Sequence, residues 1–250
     1  MNSSVLVEIS ADSVASAVAA ERGGAARIEL GTALANGGLT PSVGLIETAR
    51  AAVKFDIHVM IRPRAGDFCY DDSEFDAMQR DVISVKRLGA NGIVIGILDI
   101  NGRVDIRRTG QLVELARPLE VTFHRAFDMT CDLFQALEDV CTAGADRILT
   151  SGGERTAWEG REIIAQLVKQ AQGKITIMPG SGIKPENAHA LVEQTGVKEI
   201  HAGLKSPLDS PLLFRNPRIS MGSIEGSEYR RFAVLEENVR ALCSALASQR

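Results

Sequence analysis

Glu8, Glu29, Arg62, His124 and His201 are the side chains of this sequence best suited to moving protons and holding anions, and each lies in or beside a short apolar run. A carboxylate or guanidinium buried in such a run costs about several kcal/mol unless it is paired or meets a ligand. These five are assigned as the candidate catalytic set. In Thr122-Phe123-His124-Arg125-Ala126-Phe127-Asp128, a carboxylate follows the imidazole closely enough to fix its tautomer and raise its basicity. A second group, Arg64, Asp67, Arg125, Asp128, Ser151, Gly180, Ser181 and Gly182, is expected to bind the substrate or its anion. Gly-rich turns such as Pro179-Gly180-Ser181-Gly182 let backbone amides approach an anion. Plainer readings compete: Asp67 or Asp128 could cap a turn, the glycines could serve a generic tight turn, and Arg27 and Arg147 could neutralise Glu8, Glu29 and Glu199 in a structural ion-pair network.

The elements that must position these residues are announced by a repeated phrase. Gly24, Gly89, Gly144 and Gly196 each precede a small or polar stretch and then Ile28, Ile93, Ile148 or Ile200, at intervals of 65, 55 and 52 residues. Each interval suits a pair of strand-plus-helix units, and glycine suits the left-handed turn that ends a helix before a strand. The chain is therefore expected to be one α/β domain over residues 1–250, a (β/α)8 TIM barrel. Helices are expected to start at caps such as Thr40, Ser73 and Asp105. A Pro-rich loop at 206–227, holding Pro207, Pro211 and Pro217, is expected to precede a last helix starting near Glu228.

Alternation along strands fixes which side chains enter the lumen. With the four phrase isoleucines facing the helices, Arg27, Gly92, Arg147 and Glu199 form a lower interior layer. Glu29, Val94, Leu149 and His201 form the upper one. Glu8, Arg62 and His124 join the upper group at the C-terminal rim, where barrels assemble their sites.

Bulk properties narrow the function class. Net charge is −4 with no basic stripe, which argues against nucleic acid. No apolar run approaches the ~18 residues of a membrane span, and the first residues resemble no signal peptide. The cytoplasm is the expected compartment, with Cys69, Cys131, Cys141 and Cys243 as reduced thiols.

The runs IRPRAGDFCY (Ile61 to Tyr70), VTFHRAFDM (Val121 to Met129), RILTSG (Arg147 to Gly152), MPGSGI (Met178 to Ile183) and FRN (Phe214 to Asn216) resemble the copper homeostasis protein CutC family, in the same order along the chain. The resemblance implies a cytosolic TIM barrel, commonly a homodimer, with a role in copper tolerance and Cu(I) bound through cysteines. Family members often carry a cysteine just after the first strand, where this chain has Ser10. The soft ligands left for copper are Cys69 and Cys131, with Met129 nearby. Two functions from different classes follow. One is a copper-handling protein. The other is a lyase or isomerase acting on a small polyhydroxylated, anionic molecule, either metal-free or with a divalent metal held by Glu8, Glu29, His124 and His201.

Overall fold

The computed structural model describes residues 5–219, 221 and 227–247. Eight parallel strands, β1 (Leu6–Ala11), β2 (Arg27–Leu30), β3 (Asp56–Met60), β4 (Gly92–Ile95), β5 (Glu120–Phe123), β6 (Arg147–Thr150), β7 (Thr176–Pro179) and β8 (Glu199–Ala202), pair in the order β7-β6-β5-β4-β3-β2-β1-β8. The two end strands, β7 and β8, lie side by side, so the sheet curls into a nearly closed TIM barrel. Around it run α1 (Val14–Gly23), α2 (Val43–Ala52), α3 (Asp72–Arg87), α4 (Ile106–Ala116), α5 (Leu133–Ala143), α6 (Arg161–Ala171), α7 (Pro185–Thr195) and α8 (Glu236–Ala247). No helix among the described residues is long and apolar enough to cross a membrane.

The repeated phrase works as its chemistry demands. Gly24, Gly144 and Gly196 cap α1, α5 and α7 in the left-handed region at φ 94°, 85° and 73°, where a side chain would strain the turn. Ile28, Ile93, Ile148 and Ile200 are fully buried in the core between barrel and helices. Met60, Val94, Leu149 and Met178 are buried too but outside that core, because their faces line the lumen. In the register of the strands, Glu8 lies opposite both Arg27 and His201, and Thr122 opposite Arg147.

Some boundaries move. The α3 cap is Asp71, whose side chain takes the Glu74 amide at 2.8 Å while Glu74 takes the Asp71 amide at 3.0 Å, a reciprocal box that Ser73 cannot make. Ser42 caps α2, and the Thr40 hydroxyl instead accepts from the Arg62 amide at 3.0 Å, tying the loops after β2 and β3 together. The larger correction is at the end of the chain. The expected irregular loop and a helix from Glu228 are replaced by an antiparallel ribbon of β9 (Lys205–Asp209) and β10 (Arg230–Val234), and α8 begins only at Glu236. Pro207 disguised β9, yet in a two-stranded ribbon a proline can face the unpaired side. Residues 220 and 222–226 of that stretch lie outside the described residues. The ribbon is fastened to the barrel where the Val234 amide donates to Ser16 Oγ at 3.2 Å and Lys205 Nζ meets Asp12 at 3.1 Å.

Candidate active site

Low in the lumen, burial forces charges to balance. Arg27 donates from Nε to Glu8 and from Nη2 to Glu199 Oε2 at 2.8 Å. Arg147 donates to the same Glu199 oxygen at 2.6 Å, to Thr122 Oγ1 at 3.2 Å and to Glu120 Oε2 at 3.1 Å. This layer is an alternating ion-pair network, as the plainer reading of Arg27 and Arg147 anticipated. His58 fills the space that Gly92 leaves open, since a Cβ there would come within 2.6 Å of its ring, and burial lowers its pKa to about 3.

One level up the balance fails. Burial pushes Glu8 up, but the His201 hydrogen bond and the Arg27 charge outweigh it and hold the carboxyl well below the ordinary carboxylate range. His201 Nδ1 donates to Glu8 Oε1 at 2.7 Å, leaving Nε2 as the ring's other functional nitrogen. Glu29, only 4% exposed, takes part in none of the ion pairs among the described residues, and its Oε2 is buried without a hydrogen-bond partner. Burial, eased by His201 and reinforced by Glu8, pushes its pKa up to about 7. Burial disfavours the His201 charge, yet Glu29 and Glu8 outweigh it and raise that pKa. Single ligand atoms of Glu8, Glu29 and His201 lie within 4.8 Å of one another. Glu29 and His201, both raised, stand beside an ionised Glu8, the kind of pairing from which a general acid and base are built.

Glu29 and His201 open onto a crater of about 570 Å³ at the C-terminal ends of the strands, which Arg62, His124, Arg125 and Asp128 also line. Four of the five candidate catalytic residues thus share one cavity wall, while the fully buried Glu8 supports His201 from beneath. Arg62 is buried, and its guanidinium donates to the carbonyls of Asn36 at 2.9 Å, Gly38 at 3.1 Å and Gly66 at 2.7 Å while lying over the Phe68 ring. No carboxylate pairs with it among the described ion pairs.

The expected partnership of His124 with Asp128 does not form. Asp128 Oδ1 accepts from Thr150 Oγ1 at 2.5 Å and from the amides of Ser151 and Gly153 at 3.0 and 3.1 Å, and its Oδ2 from Arg125 Nε at 2.7 Å. It fastens the loop after β6 instead, because backbone amides there need an acceptor. His124 is oriented by its own chain, with Nδ1 accepting from the Ala126 amide at 3.1 Å.

The second group of residues divides. Ser181 and Gly182 line the crater with Arg125 and Asp128. Gly180 lies behind the wall against Leu149 and His201, and Ser151 Oγ donates to the Glu154 carbonyl at 2.5 Å. Arg64 and Asp67 sit away from the crater: Arg64 reaches Glu74 at 2.5 Å, Asp67 at 3.0 Å and the Cys69 carbonyl at 2.9 Å, and so braces its own loop. Sequence reasoning missed Lys205, Asn36 and Phe68 on the crater wall. Phe68 stood inside the quoted motif, but only the fold brings Asn36 to it.

The crater's donor set does not fit a resident copper ion. Among the described residues the one cluster of three or more ligating carboxylate, imidazole or thiol groups is Glu8, Glu29 and His201, a hard to borderline set without sulfur. Cys131 lies in a separate groove with Asp99 and Gly102, Cys69 lines neither cavity, and the Met178 sulfur faces the Arg27 guanidinium at 3.4 Å. Both oxygens of Glu8 in that cluster already accept hydrogen bonds, from Arg27 and His201.

A nearly closed parallel barrel with its acidic, basic and imidazole groups gathered at the C-terminal rim defines a TIM-barrel protein with an enzyme-like site. Residues 5–206 match the model of the CutC family, and the chain belongs to that family. A CutC family protein of Chromobacterium violaceum is 45% identical over 96% of this chain and 98% of its own length. The mouse copper homeostasis protein cutC homolog is 48% identical over 90% of this chain and 83% of its own. The crystal structure of a CutC protein from Streptococcus agalactiae superposes with a TM-score of 0.76 at 33% identity, covering 79% of this chain and 98% of that one.

Proposed function

We propose that the crater is the active site of a lyase or isomerase that moves a proton on a small polyhydroxylated, anionic molecule. The observation that carries this is Glu29: a buried carboxyl with an unpartnered oxygen, its pKa raised to about 7, beside a histidine held by a second carboxylate. A group poised near neutrality accepts and returns a proton with little penalty either way. Ionised Glu29 takes a proton from carbon next to a carbonyl, and protonated His201, stabilised by Glu8, delivers one to a departing hydroxyl or to the neighbouring carbon. Elimination makes the reaction a lyase; reprotonation without loss of a group makes it an isomerase. The Arg62 charge, left without a carboxylate, supports an anionic substrate.

The test is proton exchange. Incubated in deuterated water with a panel of small hydroxy-aldehydes, hydroxy-ketones and sugar acids, the protein should wash deuterium into at least one of them, read by mass spectrometry, and Glu29→Gln should not. Exchange that survives Glu29→Gln would contradict the assignment.

We infer in addition that the chain works in the cytoplasm as a homodimer with a small-molecule ligand, and with neither nucleic acid nor membrane as a partner; the acidic balance and the lack of a basic stripe support the reading against nucleic acid. Direct copper handling is the second reading, favoured by the exposed Met129 two residues before the exposed Cys131. A stoichiometric Cu(I) complex that is lost in Cys69→Ser/Cys131→Ser would support it.

A further inference from the structure

Proton transfer between Glu29 and His201 leaves the second imidazole of the crater wall without a task. His124 is 5% exposed on the crater wall, and its Nδ1 accepts a hydrogen bond from the Ala126 amide at 3.1 Å. A neutral ring whose Nδ1 is an acceptor carries its proton on Nε2. That Nε2 is buried and has no partner. A buried donor left unsatisfied is costly, so such a group in a ligand cavity calls for an acceptor from the ligand. The site is also built around the ring. Gly96 is the position where a Cβ would come within 2.3 Å of it, and Phe68 packs against it at 5.0 Å between centroids.

Resting on the proton-transfer reading, we propose that His124 is a neutral electrophile whose Nε2–H, backed by the Arg62 charge, holds the oxygen that becomes anionic when Glu29 removes the proton. The substrate is then an α-hydroxy carbonyl compound. Glu29 takes the proton from the hydroxyl-bearing carbon, the C–H electrons form a carbon–carbon double bond, and the carbonyl π electrons move onto oxygen. His124 donates a hydrogen bond to that oxygen, and no proton leaves the ring. Burial, with Arg62 beside the ring, lowers its pKa to about 3, so it stays a neutral donor at working pH. Arg62, from the segment after β3, is the charged group acting on the ring; Arg125 and Asp128, from its own loop, pair with each other at 2.7 Å. A neutral imidazole in this role stabilises a developing oxyanion without becoming acidic enough to trap it.

The experiment is ¹⁵N NMR of the imidazoles of the full chain between pH 5 and 9, with and without glycolohydroxamate, a small mimic of an enediolate. The expected result is an Nε2–H tautomer for His124 that does not titrate across this range, and an Nε2 proton that moves downfield with glycolohydroxamate. His124→Gln, which keeps a donor, should weaken glycolohydroxamate less than about threefold, and His124→Phe at least about tenfold. An Nδ1–H tautomer, a His124 pKa between 5 and 8, or no response to glycolohydroxamate would overturn the proposal. Deuterium exchange that depends on Glu29 while His124 gives any of these results separates its failure from that of the proton-transfer reading.

Discussion

Glu29 and His201 are set apart from the other buried charges by arithmetic. Arg27 and Arg147 are matched by Glu8 and Glu199, and Glu29 is left with only an imidazole. This has a thermodynamic sign. Glu29 is raised from about 4.5 to about 7, so the folded chain holds that proton more tightly than the unfolded one, and stability present below pH 4.5 is lost as pH rises to 7. His201, also raised, adds a loss in the same direction above its unfolded value of 6.5, whereas the lowered Glu8 adds stability above 4.5 that is lost in acid. Glu29→Gln removes the first effect. At pH 8 it should melt higher than the parent by on the order of 5 °C, with the difference shrinking at pH 5, while exchange activity falls about 10²–10⁴-fold. Scanning calorimetry at the two pH values, paired with deuterium incorporation, checks both halves. Cys69→Ser/Cys131→Ser should shift stability by less than about 1 kcal/mol and leave exchange intact, because neither thiol enters the crater. A denaturant melt alongside the exchange assay decides that.

Among the elements, β4 and the segments after β3 and β5 determine whether the site closes. Gly96→Ala would drive a methyl into the His124 ring while changing no charge. It should therefore reduce exchange as His124→Phe does, and a crystal structure should show the imidazole displaced. Arg27→Met strips Glu8 and Glu199 of a shared partner and should cost about 3–5 kcal/mol by urea titration. The second prediction rests on a feature that alternation made legible: once Ile28 and its counterparts face the helices, Arg27, Glu29, Arg147, Glu199 and His201 must enter the lumen. The partners were not legible. Nothing in the spacing of His124 and Asp128 says that β6 amides will claim the carboxylate, or that Ala126 will fix the tautomer, since backbone donors exist only once the loop is folded. Arg62 and Arg64 stand two residues apart in sequence, yet Arg62 lines the crater while Arg64 turns to Glu74 of α3 and its own loop. The ribbon of β9 and β10 was hidden for a related reason: its two strands are far apart along the chain and one contains Pro207.

At the level of the whole molecule, β10 and the stretch that follows β9 expose apolar side chains. Leu212, Leu213, Phe214 and Phe232 are 55%, 98%, 74% and 55% exposed, an arrangement that a homodimer would relieve. Sedimentation velocity should find a dimer, and Leu213→Asp/Phe214→Asp should shift it toward monomer while the barrel keeps its melting temperature within a few degrees. A monomer before substitution would remove the homodimer. The barrel buries a balanced ion network and, above it, one carboxyl without a paired cation, whose pKa burial raises to about 7. The most direct measurement is therefore a ¹³C NMR titration of the Glu29 carboxyl in the full chain. A midpoint near 7 is expected, and it should move when His201 is replaced by Asn. A carboxyl that titrates at its ordinary value near 4.5, indifferent to His201, would contradict this expectation.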